Sequence, residues 1–181
     1  VKMISRLGSD PLAEETRTAI EKFDLDQSLI QEDNSLETGQ VLVNLDSSGS
    51  ASYNIKEPVA WDAIASTESN KKAVSQTDLF IFGSLAARSE TSRNTLKELL
   101  AKAKYAIFDV NLRAPHYKME HLIQFMKQAD MIKMNDEELE EIAQHLDIKS
   151  QNISEALPRA CEDGKFHRPS RVVSLFPASV H

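Results

Sequence analysis

The sequence has little cysteine, no long apolar run and no signal peptide, and each shortage excludes a class of protein. Its single cysteine, Cys161, cannot form a disulfide within the chain and is typical of a reducing compartment. No apolar run approaches the roughly 18–20 residues that a membrane-spanning helix needs. The chain opens on Val1 and turns polar by Ser5, without the pattern of a secretory signal. We therefore expect a cytoplasmic protein with no membrane partner.

Basic residues are too few for a protein whose main partner is a nucleic acid. Lys and Arg number 21 against 28 Asp and Glu, giving a formal net charge of -7. Binding to a phosphate backbone needs a basic face, which this balance does not favour. The length of 181 residues, with 41% hydrophobic and 27% charged residues, is ordinary for a soluble globular protein and sufficient for one domain with a core.

The five glycines do not form any of the common glycine-rich catalytic loops. There is no Gly-x-Gly-x-x-Gly, no Walker loop and no Gly-x-Ser-x-Gly elbow. Ser84 follows a glycine at a predicted strand end, but no base is placed beside it, so a hinge or a ligand contact suits it better than a nucleophile. The histidines His116, His121 and His145 show no metal-ligand spacing with one another or with Cys161. We therefore interpret these histidines as surface or packing residues.

Short apolar runs alternate with helical patterns at intervals of about 25 residues, which suits the crossovers of a parallel sheet. The predicted strands lie at 1–4, 79–83, 105–110 and 129–134, with a last short strand at 172–176. The predicted helices lie at 11–23, from about 90, at 116–128 and at 136–144. Residues 25–34 give no regular pattern and are expected to be irregular.

A β-hairpin is predicted at about 40–55. Residues 40–45 and 51–55 are rich in apolar and β-branched side chains, and a glycine-containing turn separates them. The pair Glu57-Pro58 then ends the hairpin, and a short helix is predicted at 61–65.

The stretch FDVNLR closes the predicted strand at 105–110 with three polar residues, Asp109, Asn111 and Arg113. If the strand persists, all three point to one side, at the sheet edge where ligands bind in open α/β folds. Arginine can grip an anionic or polyhydroxyl ligand, and asparagine offers a sugar hydroxyl both a donor and an acceptor. The alternative is a loop in which Asp109 and Arg113 pair with each other or cap a helix.

The stretch KMNDEEL places Asn135 three residues before Glu138 at the start of a predicted helix. This spacing is a capping-box arrangement, and an acidic first turn also complements the helix dipole. The same geometry aims an amide and a carboxylate at a metal-phosphate site, where magnesium prefers oxygen ligands and keeps several waters. The two roles are compatible.

Five stretches of the sequence stand in the same order as blocks of a known family. They are RLGSDPLAEE at 6–15, TGQVLVNLDSSGSASY at 38–53, FGSLAARS at 82–89, FDVNLRAPHY at 108–117 and ADMIKMNDEEL at 129–139. The chain resembles the PfkB, or ribokinase-like, carbohydrate kinases, most closely the bacterial fructokinases. Ala13 stands where the family usually has a glycine. Asn135 and Glu138 fall on the family's N-x-x-E motif.

The resemblance implies a three-layer ribokinase-like α/β fold, with a mainly parallel central sheet and a small β-hairpin that covers the sugar and often forms a dimer contact. It implies transfer of the γ-phosphoryl group of ATP to a hydroxyl of a small, fructose-like sugar, with ATP and Mg²⁺ as cofactors. Asp109, Asn111 and Arg113 would contact the sugar or its phosphate. Asn135 and Glu138 would serve the magnesium and phosphate end.

Two family motifs are absent from the sequence. The Gly-Gly-x-x-x-Asn block that helps to hold the sugar is missing, and Gly164 is the only glycine after Gly83, so D-T-x-G-A-G-D cannot be present. That motif supplies the family's catalytic base and anion hole, and we therefore assign no catalytic residue. We expect a partial kinase domain at 1–157, truncated at both ends and with a lid at 39–56, followed by a divergent tail at 158–181.

This incompleteness leads to two expectations. As an enzyme, the chain would be a fragment of a sugar kinase that is inactive alone. The alternative is a non-catalytic module of the same fold that binds a sugar or a nucleotide or serves only for interaction. As a folded domain, it would leave strands near 1–4 and 129–134 without partners, because a parallel sheet needs neighbouring strands and covered faces. We therefore expect low stability and a tendency to associate.

Overall fold

The computed structural model describes residues 1–45, 51–146 and 171–174. The elements in chain order are β1 (Ser5–Gly8), α1 (Pro11–Lys22), β2 (Ile30–Asp33), β3 (Val41–Leu45), β4 (Ala51–Ile55), a 3₁₀-helix at Ala60–Ala63, α2 (Glu68–Gln76), β5 (Phe80–Gly83), a 3₁₀-helix at Leu85–Ala87, α3 (Glu90–Leu100), β6 (Ala106–Asp109), α4 (Met119–Met126), β7 (Met131–Met134), α5 (Asp136–His145) and β8 (Arg171–Ser174). No helix within the described residues is long and apolar enough to cross a membrane.

In the part of the chain that the structure describes, the main sheet has four parallel strands in the order β5-β6-β7-β8. Phe82 lies opposite Phe108, Phe108 opposite Ile132, and Ile132 opposite Val172. The strands predicted at 79–83, 105–110 and 129–134 are confirmed with slightly narrower bounds. The expectation that the last of these lacks a partner is wrong, because β8 pairs with it in parallel.

Three phenylalanines form the centre of the core between this sheet and α4. The rings of Phe82 and Phe108 stack with centroids 4.9 Å apart, and Phe125 of α4 meets Phe108 edge-on at 6.1 Å. Phe108 and Phe125 are almost completely buried. Aromatic pairs of this kind add about 0.5–1.5 kcal/mol beyond the area they bury, so they fix β5 and β6 against the helix that follows them.

A second sheet contains β1 and β2, which run parallel with Leu7 opposite Glu32. The strand predicted at 1–4 begins instead at Ser5, and Lys2 forms only an isolated bridge with Asp26. The prediction that 25–34 is irregular is wrong over β2. Its sequence, IQED, has one apolar residue and little strand propensity, and long-range contacts stabilise it instead.

The predicted β-hairpin is confirmed. β3 and β4 pair antiparallel with Val43 opposite Tyr53, while the turn that joins them lies outside the described residues. Apolar side chains on this two-stranded ribbon are strongly exposed, namely Val41, Leu42, Val43, Leu45 and Tyr53. An isolated ribbon with so much apolar surface normally packs against another surface.

An open groove of about 1230 Å³ lies between the two parallel sheets. Residues 1–4 line one side of it, and β5 lines the other together with side chains of α2 and α3. Leu79 and Ile81 face this space with 53% and 64% of their surfaces exposed. Since β5 is the edge strand of its sheet, its outer backbone edge is open here among the described residues.

Candidate functional site

Strand β6 ends at Asp109, and the chain then turns sharply. The Val110 amide still donates to the Lys133 carbonyl oxygen at 2.9 Å, but Asn111 adopts a left-handed backbone with φ of 40°. Asparagine tolerates this region better than most residues that have a side chain. The strand ends at Asp109, so the condition under which Asp109, Asn111 and Arg113 would share one side is not met.

Asp109 is paired across the sheet. Its carboxylate accepts a hydrogen bond from Lys133 Nζ at 2.9 Å, and the two residues face each other in the register of β6 and β7. The ion pair between Asp109 and Arg113 that was the alternative does not form. Asp109 therefore contributes to the alignment of the two strand ends.

Arg113 lies against the hairpin. Its guanidinium carbon lies 5.7 Å from the centre of the Tyr53 ring, and its Nη1 donates to the Leu112 carbonyl oxygen at 2.7 Å. A guanidinium at this distance from an aromatic ring is attracted to the ring face. Tyr53 was not predicted as a site residue, and the only sequence signal for it is an aromatic side chain within the predicted lid strand.

Glu138 joins the two polar motifs. Its Oε2 accepts from the Asn135 amide at 3.0 Å while Asn135 Oδ1 accepts from the Glu138 amide at 2.8 Å, so the predicted capping box is confirmed. The other carboxylate oxygen, Oε1, accepts from the Leu112 amide at 2.8 Å. This third bond was not predicted, and it fixes the loop after β6 to the start of α5.

Ser84 holds the same loop from the opposite side. It is buried, and its hydroxyl donates to the Asn111 carbonyl oxygen at 3.2 Å. This contact agrees with a structural role for Ser84 and not with a nucleophile. The loop at 111–113 is thus fixed by β5, β7 and α5, and such support keeps binding groups in a defined geometry.

The residues of the predicted metal end do not by themselves fit a resident magnesium ion. Both Glu138 carboxylate oxygens and Asn135 Oδ1 already accept backbone N–H groups. Across the described ranges, no group of three or more His, Cys, Asp or Glu side chains could hold a metal ion. The strand-end site is the name used below for five residues, namely Tyr53, Asn111, Arg113, Asn135 and Glu138.

Comparison with known proteins decides the family. The pfkB family carbohydrate kinase model matches residues 1–173. The chain belongs to this family. The match includes all five stretches that resemble the family, and it extends into the segment 158–181 that was predicted to be a divergent tail.

The uncharacterized sugar kinase PH1459 from Pyrococcus horikoshii is 29% identical over 146 residues, which are 76% of this chain and 47% of that protein. Its crystal structure superposes with a TM-score of 0.73 and 27% identity over 80% of this chain and 52% of that one. A second structure of PH1459 is a complex with ATP.

A fructokinase from Xylella fastidiosa matches with a TM-score of 0.79 over 96% of this chain and 55% of its own length, at 17% identity. A likeness at this identity shows the fold alone, and it agrees with the predicted ribokinase-like α/β architecture. The chain spans about half the length of these relatives.

Proposed function

We propose that this chain is part of an ATP-dependent kinase that transfers the γ-phosphoryl group of ATP to a hydroxyl of a fructose-like sugar. Family membership supports the reaction class, and the ATP complex of PH1459 supports the phosphoryl donor. The sugar is inferred from the five sequence stretches between residues 6 and 139, which most closely resemble blocks of the bacterial fructokinases. Because D-T-x-G-A-G-D is absent from the sequence, we propose that these 181 residues alone do not catalyse the transfer.

The contact between Arg113 and Tyr53 is the observation that supports this proposal most directly. It brings a cation at the end of a parallel strand together with an aromatic ring on a separate hairpin, 5.7 Å apart. A sugar lying beside this pair would meet a flat ring, a fork of N–H donors and the amide of Asn111. Asp109 would act indirectly, through its ion pair with Lys133.

Glu138 and Asn135 would act as positioning residues at the phosphate end. Glu138 holds the Leu112 amide, so its carboxylate determines where the neighbouring Asn111 and Arg113 lie. Phosphoryl transfer depends mainly on positioning and charge stabilisation. No step is assigned to magnesium, since the described residues do not form a site for it.

A coupled assay for ADP release, with fructose and a panel of other sugars, tests the reaction. We expect no turnover above background, and a rate near the ~10 s⁻¹ of a typical enzyme would contradict the proposed incompleteness. Calorimetric titration with fructose and with ATP then separates the two functions. Saturable binding without turnover supports a kinase-derived module that still holds its ligands, whereas binding of neither contradicts the assignment of the strand-end site.

Asn111 offers a matched pair of variants for the sugar contact. Asn111→Gly keeps the left-handed backbone and removes only the amide, whereas Asn111→Ala also strains the turn, because φ is 40°. If the amide binds sugar, both variants weaken fructose binding, and only the alanine variant also lowers stability by about 1 kcal/mol. Unchanged binding in the glycine variant would exclude the proposed role of the amide.

We also propose that the hairpin mediates a homodimer and that the protein is cytoplasmic. The dimer is supported by the exposed apolar side chains of β3, and the compartment by the single Cys161. Leu42→Lys on the hairpin should shift the sedimentation equilibrium toward monomer. Phe23→Lys, at a still more exposed apolar position outside the hairpin, should not.

A further inference from the structure

A small cavity lies between the 3₁₀-helix Leu85–Ala87 and the start of α4. Its volume is about 140 Å³, and none of the residues of the strand-end site lines it. Its apolar part is formed by Ala87, Leu122 and Phe125. One buried water needs roughly 10–15 Å³ of such space, so this cavity has room for a group of several heavy atoms.

Arg88 brings a buried charged donor to the cavity. Its Nε and Nη2 donate to the two carboxylate oxygens of Asp62, each at 2.7 Å, and Nη2 also donates to the Lys56 carbonyl oxygen. The side chain is only 4% exposed. The remaining nitrogen, Nη1, is buried without a hydrogen-bond partner among the described residues, and the Glu57 carboxylate is 3.6 Å away. A buried charged donor without an acceptor is destabilising.

Three further side chains on the rim can contact an anion. His116 lies 3.1 Å from the Glu57 carboxylate through Nδ1. Lys118 forms no ion pair with any described residue and stands at the N-terminal end of α4, which has no side-chain cap. The pKa of His121 is lowered by burial and then by the charge of Arg93, so its neutral imidazole offers one N–H donor at pH 7.

Glu57 occupies the position that an anion would take. Its carboxylate is near both Arg88 Nη1 and His116 Nδ1, yet 57% of its side chain is exposed. The side chain can therefore turn into solvent when another acceptor enters. Donors that approach from a guanidinium, an imidazole and an ammonium group suit the several oxygens of a phosphate.

We propose that this cavity binds a phosphate group, which replaces the Glu57 carboxylate between Arg88, His116 and Lys118. This site is separate from the strand-end site, and its existence does not depend on the proposed kinase reaction. Inorganic phosphate and the phosphate of a sugar monoester would present the same oxygens to these donors.

The proposal is tested by titrating the 181-residue chain with inorganic phosphate at pH 7 and constant ionic strength. The histidine ring signals are followed by NMR. Saturable shifts are expected for His116 and His121, while His145 in the last turn of α5 remains unchanged. Lys118→Gln and His116→Gln should each raise the Kd about tenfold. Lys127→Gln, at the opposite end of the same helix and away from the cavity, should leave it unchanged.

Glu57→Gln gives a test of opposite sign. Removing the competing carboxylate should lower the Kd for phosphate. Glu90→Gln changes an exposed carboxylate that does not line the cavity, so it should leave the Kd within about twofold of the unmodified chain. The proposal is overturned by shifts that do not saturate, by equal shifts of His116, His121 and His145, or by equal Kd values in Glu57→Gln and Glu90→Gln.

Fructose 6-phosphate in place of inorganic phosphate identifies the source of the group. A Kd at least tenfold lower for the monoester assigns the site to a sugar phosphate. Equal values assign it to the phosphate group alone, and both results support the proposal. Preserved signal dispersion in each variant shows that the fold is intact, and Arg88 is left unchanged because its bonds to Asp62 support the fold.

Discussion

Glu138 links a helix cap to a binding loop through a single carboxylate, so its charge should matter for stability. Glu138→Gln leaves one oxygen for two N–H groups, those of Leu112 and Asn135, and places an amide donor against the other. Hydrogen bonds to charged groups contribute about 1.5–3 kcal/mol. We expect urea unfolding to show a loss of about 2 kcal/mol.

Glu137→Gln is the matched control for this prediction. It removes the same charge from the same first turn, but Glu137 is exposed and takes no part in the cap. Only the interaction with the helix dipole is lost, at a cost of about 0.3–1 kcal/mol. Equal losses in the two variants would show that Glu138 acts through its charge alone and does not hold the loop.

Tyr117 should make stability depend on pH in the alkaline range. Its hydrogen bond to Glu141, followed by burial, raises its pKa to about 12. A raised pKa means that the stabilisation is complete below the ordinary value near 10 and is lost as the pH rises through 12. Unfolding free energies measured from pH 9 to 12.5 should fall for the wild type, and Tyr117→Phe should lack this part of the decline.

Glu141→Gln provides the control for Tyr117. It keeps an acceptor for the hydroxyl but removes the negative charge, so the pKa of Tyr117 should move back toward its ordinary value. An ultraviolet titration of the phenolate follows this directly. If the last tyrosine to ionise were unaffected by both substitutions, the assignment to Tyr117 would be wrong.

The strand-end site could be predicted from sequence only where its contacts are local. The cap formed by Asn135 and Glu138 follows from a spacing of three residues, which helix geometry converts into contact. The bond from Glu138 to the Leu112 amide and the contact between Arg113 and Tyr53 join distant parts of the chain. No local periodicity encodes such contacts, because they depend on how β6, α5 and the hairpin pack.

Among the elements, the aromatic contact between β6 and α4 should dominate stability. Phe108→Ala removes a fully buried ring that stacks on Phe82 and meets Phe125. Truncation of a buried phenylalanine costs about 3–5 kcal/mol, against a total of about 5–15 kcal/mol for a domain. We expect thermal unfolding of this variant near room temperature.

Phe23→Ala serves as the comparison for the core substitution. Phe23 ends α1 and is 77% exposed, and surface substitutions usually change stability by no more than about 0.5 kcal/mol. A loss as large as that of Phe108→Ala would mean that Phe23 is covered in solution, by a second copy or by another segment.

Elements with an apolar pattern were predicted, and elements held by polar contacts were not. Strands β5, β6 and β7 are short apolar runs, and α3 has leucines at helical spacing. In contrast, α2 reads ESNKKAVSQ and buries only Asn70 and Val74, so it lacks the apolar stripe on which helix prediction depends. β2 depends on the Gln31 side chain, whose amide bonds both the N–H and the carbonyl oxygen of Ala65.

For the whole molecule, the groove between the two sheets should cause association. An edge strand with exposed apolar side chains is a template for pairing with another chain. Ile81 lies on this edge and is 64% exposed. Ile81→Lys should reduce both the binding of a hydrophobic dye and the fraction of oligomer in sedimentation velocity by several-fold, because a lysine at an edge opposes pairing.

Phe23→Lys distinguishes association through the β5 edge from association caused by any exposed apolar side chain. Phe23 is exposed but does not line the groove. The substitution should leave association through the groove unchanged. A wild-type chain that is monomeric, silent to the dye and unfolds in one sharp transition would show that the groove is not an exposed apolar surface in solution.

The strand order of the main sheet also sets an order of assembly in time. Residue 82 pairs with 108, 108 with 132, and 132 with 172, so the sheet grows by one strand at a time from the amino-terminal side. A ribosome that adds about 5–20 residues per second exposes β5, β6 and β7 before β8 exists. The outermost strand, β8, joins last, and among the described residues β7 is its single neighbour. Amide protons of Arg171–Ser174 should therefore exchange with solvent before those of Ala106–Asp109.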